Sequence, residues 1–199
     1  MVVTPILMEI SIRERLESLR VTAASKRYFI PEGLLETVLT NSIIRGIIEK
    51  SDRNFPNPLE IQKYVLKIRE EAFKITAILI LLGKEHLLVR HFIHKELFDR
   101  RLPLTESDLQ GMEENASFTN EFILQQYMVL APHFRKGAIH RALDNSYILP
   151  FVKDDPVTGA EGAFGVVSKV EIHTNHQSID VTTKKVLVTP FLHNKFDIS

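Results

Sequence analysis

Cysteine is absent from all 199 residues, which excludes disulfides, thiolate zinc ribbons and thiol catalysis. That absence fits a reducing intracellular compartment, and the cytoplasm is the expected location. Net charge is absent as well, with 25 Lys and Arg against 25 Asp and Glu. Neither part of the chain conceals a bias: six basic residues face seven acidic ones from Gly137 onward, and nineteen face eighteen before it. A basic field for nucleic acid or for an anionic membrane is therefore missing. Long hydrophobic runs are missing too. The most apolar segment, Ile75 to Leu82, stops at Gly83, well short of the roughly 20 residues that cross a bilayer. Met1 to Met8 lack the basic start and long apolar core of a signal peptide. Neither nucleic acid nor membrane is expected as a partner.

What is present fits an ordinary soluble globular protein, 44% hydrophobic and 25% charged, with length for one or two domains. Ile12, Leu16, Leu19 and Ala23 recur at helical steps, so a helix is expected from Glu9 to Lys26. Pro31-Glu32 is a helix-start signal continued by Leu34, Leu35, Val38 and Leu39, and Ile43, Ile44, Ile47 and Ile48 form a further apolar face. Asn54-Phe55-Pro56-Asn57-Pro58 breaks the chain. Leu59, Ile61, Tyr64, Val65 and Ile68 open a helical region that runs through Phe73 to a cap at Gly83. Leu87 to Leu97 reads as another helix, Leu102-Pro103-Leu104 as a linker, and Thr105 or Ser107 as the cap of a short helix over Asp108 to Met112. A last helix is expected from Thr119 to Leu130, ended by Pro132.

After Gly137 the pattern turns to β, with expected strands at about Phe164 to Ile172 and Lys185 to Leu192. The expected class is α+β, with a helical region over 1–136 and a small antiparallel β-rich tail over 137–199. Glu161-Gly162-Ala163-Phe164-Gly165-Val166-Val167 stands out within that tail. Two glycines bracket an aromatic before a β-branched run, the pattern of a tight hairpin tip leading into a strand. A Walker phosphate loop would need a Gly-Lys-Ser/Thr ending, and a dinucleotide fingerprint would need a helix after the glycines; neither occurs. An ordinary hairpin that binds nothing is the plain alternative.

This segment resembles the glycine-rich loop of a eukaryotic protein kinase, Gly-x-Gly-x-Phe-Gly-x-Val, with Ala160 in place of the first glycine. Together with Tyr127 to Phe134, Leu149-Pro150-Phe151, Val170 to His176 and Phe73 to Gly83, it makes the chain similar to fungal kinase-domain proteins in which a helical region precedes the kinase domain. The resemblance implies that the tail corresponds to the first strands of a kinase small lobe. It also implies ATP as the ligand, with Gly162, Ala163, Phe164 and Gly165 over the phosphates and Val167 over adenine. The kinase lysine of the third strand falls at Thr189, in Val186-Leu187-Val188-Thr189. Lys185 shares its strand parity but lies roughly 13 Å away at strand rise, and a register placing Lys184 there retains only Val181 of the apolar motif. Helix C glutamate, His-Arg-Asp and Asp-Phe-Gly do not occur before Ser199. Phosphotransfer is therefore not expected from this chain, which reads as a truncated or degenerate relative with residual ATP binding. The alternative is a non-enzymatic module whose helical region binds a protein partner.

Other constellations carry less. His91 and His94, with His86 a turn earlier, read as ordinary surface or half-buried histidines, since no His-Glu-x-x-His pattern accompanies them. His173 and His176 read as a polar connection between strands. Asp154 and Asp155 are neighbours expected on a loop, whereas acid–base pairs converge from separate elements. Glu70 and Glu71 read as a solvated helix face. No serine has the Gly-x-Ser-x-Gly setting of a nucleophile elbow. No catalytic residue and no metal site are assigned from the sequence.

Overall fold

The computed structural model describes residues 10–51, 57–112, 116–135, 143–162, 165–178, 186–189 and 195–198. They form an α+β protein: a helical region, then short strands paired two by two. The helices that start cleanly do so through local capping. Ser11 and Glu14 make a reciprocal capping box on α1 (Ile12–Glu17). Asn57 accepts from Leu59 N–H at 2.9 Å, with Pro58 at the first position of α4 (Pro58–Glu71).

The centre of the helical region is α5 (Phe73–Leu82), in which Ile75 to Leu81 are all buried. A helix apolar on every side needs neighbours on every side. They come from α1, from α4 and from α7 (Ala116–Gln125), while α3 (Asn41–Ser51) packs on α4 and adds Ile44, Ile47 and Ile48 to the same core. α4 and α5 are separate helices because Ala72 leaves the helical region at φ −133° and ψ 29°. Ala72 brings no side-chain acceptor to the start of α5. Asp99 supplies one from a distant turn, accepting from Lys74 N–H at 2.8 Å and Ile75 N–H at 3.0 Å. Gly83 closes α5 in the left-handed conformation, φ +66°.

Several expectations need correction. The helix expected to Lys26 ends at Glu17, and the chain instead forms an antiparallel pair, β1 (Val21–Thr22) with β2 (Tyr28–Phe29). β-branched and aromatic residues suit the pleat, Phe29 is fully buried, and Lys26 takes φ +62° in the turn between them. In the segment from Pro31 to Leu39 only α2 (Leu35–Val38) is helical. The region from Glu85 is a 3-10 turn followed by a wide π-type turn over Leu88–Ile93, in which His94 N–H reaches Val89 O at 3.1 Å. The short helix placed over Asp108 to Met112 is α6 (Glu106–Leu109), capped by Thr105. α7 passes into a 3-10 turn at Gln126, whose fully buried amide accepts from Leu104 N–H at 2.7 Å and donates to Leu104 O at 3.0 Å.

The β part begins with β3 (Phe134–Arg135), which pairs in parallel with β6 (Gln177–Ser178). Between them β4 (Phe151–Gly162) and β5 (Gly165–Ile172) form an antiparallel hairpin, with a register shift between Pro156 and Glu161. Phe151, Val170 and Ile172 face Phe134 and Leu143 in a second small core. β7 (Val186–Thr189) pairs with β8 (Lys195–Ile198). Asp154 and Asp155, expected on a loop, lie in β4 opposite Val170 and Lys169. Among the described residues no helix is long and apolar enough to cross a membrane.

Candidate functional site

The glycine segment falls on the β4–β5 hairpin. Gly162 and Gly165 are partners across the ladder, next to the pair Glu161 and Val166. Val167 follows in β5, and Ala163 and Phe164 lie outside the described residues. A glycine pair at a hairpin end leaves the backbone open on both sides, the property that lets main-chain N–H groups approach an anion. Thr189, which the sequence resemblance sets in place of the kinase lysine, ends β7 opposite Lys195. Lys184 and Lys185 lie outside the described residues.

The histidines divide. His94 Nε2 lies 3.1 Å from the Tyr64 hydroxyl, and His91 is buried. Among the described residues no group of three or more His, Asp or Glu side chains is placed to hold a metal ion. His173 and His176, expected in a plain polar connection, cap and end a 3-10 turn over Thr174–His176, and both rings meet Phe29 edge-on with centroids 5.7 and 5.4 Å away.

That turn meets the helical region at Glu32. His176 Nε2 accepts from Glu32 N–H at 3.0 Å, and its Nδ1–H donates to Pro132 O at 3.1 Å, the tautomer being set by these partners. Asn175 donates to Glu32 O at 2.8 Å. Both main-chain polar groups of Glu32 are thus held by the turn after β5. Its carboxylate is held from a third segment: Oε2 lies 2.6 Å from His133 Nδ1, while His133 Nε2 lies 2.8 Å from Ser178 Oγ. His176 is only 2% exposed. Burial pushes its imidazole below the ordinary histidine range, with the neighbouring His173 and His133 adding to the effect. The Pro132 carbonyl and the Glu32 carboxylate oppose it.

Beside these groups lies a cavity of about 360 Å3, with Ile30, Leu35, Val129 and Leu130 among its apolar walls and Glu32, Glu36, Lys74, His133 and His176 among its polar members. Sequence reasoning missed this cluster. Glu32 and His133 are 101 residues apart, and His133 and Ser178 are 45 apart, so no local spacing announces them. Compared with known proteins, the chain matches no protein-family model, no curated protein and no solved structure.

Proposed function

We propose that the β4–β5 hairpin is a kinase-like glycine loop that binds the phosphates of ATP, carried on a helical region, in a chain that does not itself transfer phosphate. The observation that carries this reading is the facing pair Gly162 and Gly165, with Val167 two residues into the following strand. Backbone N–H groups at such a tip favour a polyanion without needing a lysine. β5 lies beside β7, the two belonging to separate two-stranded sheets. Thr189 in place of the lysine removes the cation that holds the α- and β-phosphates, so weak binding is the expected outcome.

Titration calorimetry of the chain with ATP tests the proposal. Saturable binding in the roughly millimolar range should disappear in Gly162→Val and Gly165→Val, whose side chains would crowd the approach. Absence of binding at millimolar nucleotide, or equal binding by the valine variants, overturns it. A second reading makes the helical region a protein-interaction module. It is favoured by Leu59 and Leu66, seven residues apart on α4 and 64% and 49% exposed beside a complete core.

A further inference from the structure

We propose that Ser178, His133 and Glu32 form an acyl-transfer triad acting on a small carboxylic ester at the protein surface. The proposal is independent of nucleotide binding and rests on the order of the contacts. A serine nucleophile needs a base whose free lone pair faces its hydroxyl, and the base needs an acceptor on its other nitrogen to fix the tautomer and stabilise the imidazolium. Here Glu32 Oε2 takes Nδ1–H at 2.6 Å, which leaves the Nε2 lone pair facing Ser178 Oγ at 2.8 Å. The proton positions follow from these partners.

The fold explains why three remote residues meet. Parallel pairing of β3 with β6 sets Arg135 opposite Ser178, and His133 lies two residues earlier, on the approach to β3. Glu32 is anchored by its own main chain, whose N–H and C=O are bound by His176 and Asn175. Its carboxylate is therefore available to the imidazole rather than needed for the fold. Ser178 is exposed, so a substrate reaches it from solvent. The cavity that Glu32 and His133 help to line has apolar walls at Ile30, Leu35, Val129 and Leu130. Ser178 is not among the residues that line it, so the ester is met at the surface rather than inside the cavity.

The reaction follows from these positions. Ser178 Oγ attacks the ester carbonyl carbon while its proton passes to His133 Nε2. Collapse of the tetrahedral adduct breaks the carbon–oxygen bond to the alcohol, which leaves with that proton. Water then attacks the acyl-Ser178 ester, gives a proton to Nε2, and the serine departs with it as the acid is released. Ser178 and His133 are the catalytic residues; Glu32 is a positioning residue that acts through the imidazole.

The test uses the full chain, a fluorophosphonate probe read by peptide mass spectrometry, and turnover of p-nitrophenyl butyrate. Labelling should fall on Ser178 and vanish in Ser178→Ala. Ester turnover should drop at least about 100-fold in both Ser178→Ala and His133→Ala. Glu32→Gln should lower kcat about tenfold or more with KM little changed, a split that a merely structural role would not produce. Melting curves recorded alongside identify any variant that fails to fold, and labelling of the unmodified chain needs no variant. No label on Ser178 overturns the proposal, as does turnover that survives Ser178→Ala while vanishing in His133→Ala, since the histidine would then act alone.

Discussion

His176 offers the sharpest prediction about how the two parts of the chain hold together. Its ring is 2% exposed and spends both nitrogens on main-chain groups, accepting from Glu32 N–H and donating to Pro132 O. Replacing it with Phe keeps a ring of similar breadth against Phe29 but leaves a donor and an acceptor unpaired. At about 1–3 kcal/mol for each buried orphan, the loss should be about 2–6 kcal/mol, a large part of the stability of an ordinary domain. His176→Gln retains an acceptor for Glu32 N–H and should cost about half as much. Acid should act in the same direction. Burial depresses the folded-state ionisation of His176 below its unfolded value, so the folded state prefers the neutral ring. Its contribution is fully present above an unfolded value of about 6.5 and is lost as the pH falls from there through the lower folded value, with a slope of at most about 1.4 kcal/mol per pH unit. Glu32 opposes this shift, whereas His173 and His133 reinforce it. Urea unfolding from about pH 7.5 down to about pH 5 measures both effects. The stability of the unmodified chain relative to His176→Gln should shrink as the solution is acidified. A constant difference, or one that grows in acid, refutes the reasoning.

Two further substitutions probe the helical region. Asp99→Ala removes the acceptor for the first free N–H groups of α5, Lys74 and Ile75, and should cost about 1–2 kcal/mol, read as a lower denaturant midpoint. Gly83→Ala forces a Cβ onto a residue at φ +66° where no atom lies within 4 Å of it. The penalty is therefore backbone strain alone, about 1 kcal/mol or a little more, or a melting point lower by about 2–4 °C.

The elements with local punctuation are legible in the sequence. Asn57-Pro58 opens α4, Gly83 closes α5, and Thr105 caps α6, because each signal acts on main-chain groups within a few residues of itself. The uniformly apolar Ile75–Leu81 segment is likewise recognisable as a buried helix. Elsewhere the periodicity misleads. Ile12, Leu16, Leu19 and Ala23 keep helical spacing past the end of α1, yet Ala23 belongs with Phe29 and Ile148 in a separate small cluster, so packing against a later segment overrides the pattern. The break at Ala72 has neither proline nor glycine to announce it. It is sustained by Asp99, which takes over the start of α5 from 25 residues away.

The candidate sites divide along the same line. The glycine hairpin is a local feature, and its backbone pairing is the one its sequence implies. The cluster around Glu32 depends on three segments meeting, and only the folded chain brings them together. At that junction one residue serves two purposes through different atoms. The main chain of Glu32 joins the turn after β5 to the helical region, while its carboxylate orients His133. The two roles are therefore separable by substitution. Glu32→Gln leaves both main-chain bonds in place, so it should alter chemistry at Ser178 with little change in melting. His176→Gln should weaken the junction while leaving the His133 contacts to Glu32 and Ser178 available. A parallel loss of stability and turnover in both variants would mean that the carboxylate belongs to the joint and not to a catalytic relay.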